Sequence, residues 1–197
     1  KLGYILGCVA GDGHLSKSQV LLDNNDGEIQ KAYSEYLKEI FGIDSFVKQN
    51  HTCQTVINKG GLTLKRFLNE IIGFPDKQKS ALISIPKIAL ANKEIFRGFF
   101  AGLIDTDGYV SHLNYSIELT SKSKSLISQC SIILLNFGIQ SVVYEKKGFY
   151  VLRIANKKYL DIFLNNFRPR LKRKLDRIIS ASKKAQSSRI FDIIPIP

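Results

Sequence analysis

The stretch Ile5-Leu6-Gly7-Cys8-Val9-Ala10-Gly11-Asp12-Gly13 has a counterpart 95 residues later, Phe100-Ala101-Gly102-Leu103-Ile104-Asp105-Thr106-Asp107-Gly108. Phe41-Gly42-Ile43-Asp44-Ser45-Phe46-Val47 returns 96 residues on as Phe137-Gly138-Ile139-Gln140-Ser141-Val142-Val143. Phe67-Leu68-Asn69 returns as Phe163-Leu164-Asn165, and Lys77-Gln78-Lys79 as Lys172-Arg173-Lys174. Four matches in one order at a nearly constant offset identify a tandem duplication. The chain must therefore fold as two copies of one unit: residues 1–95, residues 96–185, and a C-terminal tail at 186–197.

Within each copy the periodicity of apolar residues sets the elements. Ile29, Ala32, Tyr33, Tyr36, Leu37, Ile40 and Phe41 mark a helix stopped by Gly42, and 123–137 is its more apolar partner, stopped by Gly138. Leu64, Phe67, Leu68, Ile71 and Ile72 mark another, matched by Tyr159, Leu160, Phe163, Leu164 and Phe167. Alternating stretches at 14–23, 46–58, 109–121 and 140–154 read as strand pairs. Leu171, Leu175, Ile178 and Ile179 add a last helix with a basic outer face.

Each copy opens with a short apolar helix ending in acid-glycine. Gly3, Gly7 and Gly11, and Gly98 and Gly102, would let the two helix backbones approach closely. Asp12 and Asp107 would then meet at the negative ends of two helix dipoles, unfavourable without a cation. Two such acids make a hard-oxygen site suited to Mg²⁺. Gly13 and Gly108 would allow the tight exit into the following strand.

These two motifs resemble those of the LAGLIDADG homing endonucleases, with residues 100–108 the nearer match and 5–13 a more divergent first copy. Arg97-Gly98-Phe99-Phe100-Ala101-Gly102, Ile85-Pro86 and the tail Phe191-Asp192-Ile193-Ile194-Pro195 resemble the intein-borne branch. Ile83 stands where intein members often carry a basic residue. The resemblance implies an α+β fold, a pseudo-twofold tandem repeat of αββαββα whose two antiparallel four-stranded sheets form a DNA-binding saddle. It implies a monomer that cuts both strands of a long, asymmetric DNA target across the minor groove, using two or three Mg²⁺ ions. Carried over by position, Asp12 and Asp107 would hold metal with the carbonyls of Gly11 and Thr106. Gly7 and Gly102 would be the helix-contact glycines, and Asp105 would have a polar or capping role at the interface. A lysine near each metal would stabilise the developing anion or help position the water network; Lys79 and Lys174, at matching places in the copies, are the candidate catalytic lysines, with Lys77 and Lys172 the alternates. An RNA maturase or a non-cleaving DNA-binding regulator is the alternative.

The chain carries 29 Lys+Arg against 17 Asp+Glu, a net charge of +12. That points to an anionic partner, nucleic acid before an acidic membrane surface, and no apolar run is long enough to span a bilayer. Residues 1–95 hold 12 basic and 10 acidic side chains, while residues 96–197 hold 17 and 7. Candidate DNA contacts in the strand regions are Ser16, Lys17, Gln19, Lys48, Gln49, Asn50, His51, Gln54 and Asn58. Their second-copy counterparts are Ser111, His112, Asn114, Glu118, Gln140, Tyr144, Lys146, Lys147 and Arg153. Such side chains read base edges in the major groove, and half should face DNA. The basic cluster at 168–184, including Arg170, Lys172 and Arg173, is expected to contact phosphates. Cys8, Cys53 and Cys130 suit neither a disulfide framework nor a zinc ribbon, which points to reduced thiols inside a cell, in cytoplasm, nucleoid or an organelle. The absence of methionine suggests excision from a longer chain.

Overall fold

A computed structural model describes residues 1–50 and 52–185. The expected contact at His51 and the readings of the tail lie outside the described residues.

The first copy runs α1 (Leu2–Gly11), β1 (Gly13–Leu15), β2 (Val20–Asp23), α2 (Gly27–Phe41), β3 (Ser45–Gln49), β4 (Gln54–Asn58) and α3 (Gly61–Arg66), which continues as a π-helical turn over Phe67–Ile71. The short helices α4 (Lys79–Leu82) and α5 (Lys87–Ala91), not foreseen from periodicity, lead to the second copy. That copy runs α6 (Lys93–Asp107), β5 (Gly108–Ser111), β6 (Ser116–Ser121), α7 (Lys124–Leu135), β7 (Val142–Lys146), β8 (Phe149–Ile154), α8 (Lys157–Asn166) and α9 (Lys172–Lys184).

Local chemistry explains the boundaries. The side chain of Asn92 accepts hydrogen bonds from Glu94 N and Ile95 N and starts α6. Ser123 does the same for α7 through Leu126 N, and also donates to Ile83 O at 2.5 Å. Gly42, at φ 66°, ends α2 with its N–H on Leu37 O and Lys38 O.

Both sheets are antiparallel and have the same strand order, β1-β2-β4-β3 and β5-β6-β8-β7. The fold is a pseudo-twofold tandem arrangement. Leu15, Val20, Leu22 and Val56 face the core from one sheet, and Val110, Ile117, Leu119, Leu152 and Ile154 from the other. The outer strands depart from the expected alternation. β7 is exposed along its whole length, and β3 everywhere but half-buried Ser45.

The halves join through α1 and α6. A Cβ on Gly3 would lie 2.0 Å from Ile95 O, on Gly7 2.1 Å from Phe99 O, on Gly98 2.9 Å from Tyr4 N, and on Gly102 2.6 Å from Tyr4 O. Backbone touches backbone, so no larger residue fits. Gly13 and Gly108 have a related reason to be glycine. Each strand turns back so tightly that a Cβ would meet the preceding helical turn, at 2.5 Å from Val9 O and 2.4 Å from Ile104 O. Gly108 has an ordinary φ of −75°, so closeness rather than backbone freedom decides there. In the second copy Phe96, Phe100, Phe137, Phe163 and Phe167 pack ring against ring, some stacked and some edge-to-face, with centroids 5.1–6.2 Å apart.

Candidate active site

The glycine contacts carry the C-terminal ends of α1 and α6 to one place. A Cβ on Gly11 would lie 2.1 Å from Thr106 Oγ1 and 3.2 Å from Asp107 Oδ2. The second motif's acid therefore stands against the end of the first motif's helix. The carboxyl of Asp107 is pushed up to about 6 by desolvation and, next, by the charge of Asp12. Asp12 is also raised by desolvation, though the hydrogen bond from Asn24 works against this. Two acids raised in this way carry poorly compensated negative charge at two negative helix ends.

Asn24 was not among the residues expected from sequence. Its Oδ1 accepts from Asp26 N at 2.7 Å in the turn before α2, and its Nδ2 donates to Asp12 Oδ2 at 2.6 Å. The second copy has Ser121 at this place in the turn, where its hydroxyl accepts from Ser123 N at 3.1 Å. A polar turn residue at the end of β2 was the available signal.

Lys79 and Lys174 occupy equivalent places beside the acids. Lys79 Nζ donates to Val9 O, Ala10 O and Gly11 O at 2.7, 2.9 and 2.8 Å. Lys174 Nζ donates to Ile104 O, Asp105 O and Thr106 O at 2.8, 2.6 and 3.3 Å. An ammonium has three N–H donors, so each is fully used on the last carbonyls of a motif helix. In this structure each ammonium caps the end of a motif helix. The carbonyls of Gly11 and Thr106, expected as metal ligands, are the acceptors of these same ammonium groups. Burial lowers both lysines, Lys79 to about 8, and the nearby aspartates pull them back up. Ile83 is a core residue, so Lys79, four positions earlier, supplies the cation on this side.

Buried Asp105 organises the second end. Its Oδ2 accepts from Tyr4 OH at 2.8 Å and Arg170 N at 2.6 Å, and its Oδ1 from Leu171 N at 3.2 Å. It thereby ties α1 to the start of α9, which carries Lys174.

The strand residues divide by register. Tyr109, Glu118, Arg153 and Val142 lie in one row across the outer face of the second sheet, and Lys48, Thr55 and Asp23 across that of the first. Tyr144 and Lys146 share the outer face with Arg153. Lys17, Gln19, Lys48, Gln49, Asn50, His112, Asn114, Gln140, Lys146 and Lys147 are exposed, and Ser16 and Gln54 half-buried. Asn58 and Ser111 are buried, contrary to expectation. Asn58 donates to Val20 O in the core, and Ser111 accepts from Asn114 N to hold a turn. The basic cluster at 168–184 does not form one face. Lys174 turns inward, Arg173 pairs with Asp26 at 2.8 Å, and Arg170 lies over the Tyr36 ring. Lys172 stays exposed, with its backbone N–H on Glu28.

Among the described residues, no group of three or more His, Cys, Asp or Glu side chains could by itself hold a metal, and no helix is long and apolar enough to cross a membrane. The three cysteines are free thiols.

A family model described as "LAGLIDADG-like domain" matches residues 1–72 and 94–168. The "Probable translation initiation factor IF-2" of Thermococcus kodakarensis is 31% identical over 193 residues, covering 96% of this chain, and that of Methanocaldococcus jannaschii is 33% identical over 197 residues, covering 93%. One subunit of the A-type ATP synthase of Pyrococcus abyssi is 25% identical over 166 residues, 82% of this chain. This chain spans 16% of the length of each of these relatives. Among solved structures, I-DmoI in complex with DNA and Mn superposes with a TM-score of 0.64 at 18% identity, covering 84% of this chain and 94% of that one. The N-terminal LAGLIDADG domain of DUF199/WhiA superposes with a TM-score of 0.58 at 14% identity, covering 88% and 84%. At these identities the structural matches show a shared fold.

Proposed function

Since the chain belongs to the LAGLIDADG-like domain family, we propose that it is a monomeric, site-specific homing endonuclease that hydrolyses one phosphodiester in each strand of a long, asymmetric DNA target. The observation that carries this reading is the pairing of Asp12 with Asp107 at glycine-packed helix ends, each backed by a lysine.

The donor set fits a hard divalent cation. Two carboxylates with raised pKa favour one, and a site without a third protein acid leaves room for substrate phosphate and water, as Mg²⁺ prefers. When bound, such ions, two or three of them, supply Lewis-acid charge at the scissile phosphate and a water of lowered pKa. Asp12 and Asp107 would hold the cations, one per strand cut, and Asn24 fixes the orientation of the Asp12 carboxylate. Lys79 and Lys174 act as positioning residues. They neutralise the carbonyls that would otherwise face the phosphate and lend the site positive potential. The two sheets form the DNA-facing saddle over the minor groove at the cut, with Lys48, Gln49, Tyr144, Lys146 and Arg153 toward the major groove on either side.

The relatives support an intein-borne module. A translation factor and an ATP synthase component have no reaction in common, yet both align with nearly all or most of this chain over a small part of their own length. A DNA partner would put the protein inside the cell. The test is incubation of a library of long duplexes with Mg²⁺ and the protein. We expect double-strand cuts at one asymmetric site, and nicking or no cleavage by Asp12→Asn and by Asp107→Asn. Cutting unchanged in both variants would sink the assignment; stable binding without cleavage would favour the regulator or maturase.

A further inference from the structure

The two halves share a second concave site, open to solvent and away from the paired acids. It is a cavity of about 380 Å³ lined by Lys1, Arg97, Arg168 and Arg170, with Glu94 as its one acid. Its wall on α6 runs from Glu94 to Ala101. At 1.5 Å per residue that wall lies about 9 to 20 Å along the helix from Asp107.

The charges of this cavity are incompletely balanced. Glu94 pairs with Arg97, and Glu39 with Lys1 at 2.6 Å. Arg168 and Arg170 have no ion-pair partner among the described residues. Arg97 also keeps a buried Nε without a hydrogen-bond partner. Like charges gathered in a concave place repel one another and raise the local potential for anions.

The backbone that carries Arg168 and Arg170 is also held in place. Phe167 and Leu171, on either side of Arg168 and Arg170, are buried, and the backbone of Arg170 and Leu171 is fastened to Asp105. The Arg170 guanidinium lies over the Tyr36 ring at 5.6 Å, and Arg97 is braced by Asn166 at 3.0 Å. Stacking occupies a guanidinium's face and leaves its in-plane N–H groups to meet an anion. Arginine forks suit phosphoryl oxygens, which they bind in bidentate fashion. The volume exceeds what a single small anion fills and lies within the range of small-ligand sites.

We propose that this cavity binds a free, multiply charged phosphate, pyrophosphate or the polyphosphate tail of a nucleotide, separately from DNA. Arg168 and Arg170 take the phosphoryl oxygens, and Arg97 closes the inner side.

The experiment is isothermal titration of the whole protein with pyrophosphate in the presence of EDTA, so that no metal carries the anion to Asp12 and Asp107. We expect saturable 1:1 binding, weakened about tenfold or more in Arg168→Ala and in Arg97→Gln, and unchanged in Lys87→Ala, an exposed lysine elsewhere on the surface. Binding that is absent, or equally tight in Arg168→Ala, overturns the proposal. A second arm repeats the titration with excess duplex DNA. Unchanged pyrophosphate binding supports a separate site, whereas its loss assigns these arginines to the DNA backbone and overturns the proposal. Neither arm depends on cleavage, so the endonuclease reading can fail while this one stands.

Discussion

Replacing Gly7 by alanine adds one methyl group at the closest approach of α1 and α6. Its carbon would lie 2.1 Å from Phe99 O and 3.0 Å from Gly102 Cα, whereas ordinary contact begins near 3.4 Å, so the helices must part by about 1.3 Å. Both obstructing atoms are backbone, and no rotamer change relieves the overlap. Alanine's better helix propensity returns up to about 1 kcal/mol, while overpacking of this kind costs about 1–3 kcal/mol or more. With backbone on both sides the cost should win, by about 1–2 kcal/mol. For a chain of this length that lowers the melting temperature by roughly 2–8 °C. The same separation moves Asp12 relative to Asp107, and a displacement of about 1 Å at a reacting site can cost on the order of 10²-fold in rate. The assay is paired: thermal unfolding by circular dichroism, and single-turnover cleavage of the target. Gly27→Ala is the matched control, since nothing lies within 4 Å of its added carbon; it should melt at or slightly above the wild-type temperature. A Gly7→Ala protein that melts and cuts like wild type would refute the close packing of the two helices and the argument that it sets the acid-to-acid spacing.

Three further outcomes follow from the same geometry. The folded-state carboxyl of Asp107 is near 6 against an ordinary 3.8, so the folded protein takes up this proton more readily than the unfolded chain. Metal-free stability should therefore fall as pH rises from about 4 to 6; Asp107→Asn should flatten that part of a melting-temperature profile and melt higher at pH 7. Lys174→Met leaves three helix-end carbonyls without their donor and should cost about 2–3 kcal/mol, read as a lower urea midpoint; an unchanged midpoint would mean that water caps the helix equally well. Arg173→Ala should change stability by less than about 1 kcal/mol, because its pair with Asp26 is partly exposed; a double-mutant cycle with Asp26→Ala measures this.

The parts of the site that repeat at one offset were legible in the sequence. Asp12 with Asp107, Gly7 with Gly102 and Lys79 with Lys174 are each 95 residues apart, and the structure brings each pair to equivalent places. What those residues bond to was less legible. That the lysines bond helix-end carbonyls was not read from the spacing, although a helix that ends in a carboxylate also leaves bare carbonyls within reach of a buried ammonium. Asn24 escaped notice because its bond to Asp12 depends on how the turn after β2 folds back. Asn58 and Ser111 look like surface polar residues in a one-dimensional pattern. They are buried because one satisfies a core strand carbonyl and the other a tight turn. The phase of the edge strands could not be read from alternation, since β3 and β7 lie at sheet edges and expose both faces.

The two copies differ most informatively two residues before the acids, where Ala10 in the first corresponds to Asp105 in the second. Asp105 is 1% exposed, and a buried carboxylate is costly unless its charge is met by hydrogen bonds. Tyr4 OH, Arg170 N and Leu171 N meet it. In the first copy Lys79 comes from the four-residue α4, whereas Lys174 comes from the thirteen-residue α9. Only α9 has its start anchored by a buried acid. Two different scaffolds thus deliver an ammonium to the same three-carbonyl end, and only the second needs the carboxylate. The duplication has kept the helix end, the acid and the lysine while the surroundings diverged in charge and contacts. A cut in both strands asks for equivalent chemistry at two phosphates and asks nothing of symmetry from the bases around them. A matched pair of ends set in an unmatched frame, nearly neutral on one side and strongly basic on the other, is the arrangement such a division of labour would produce.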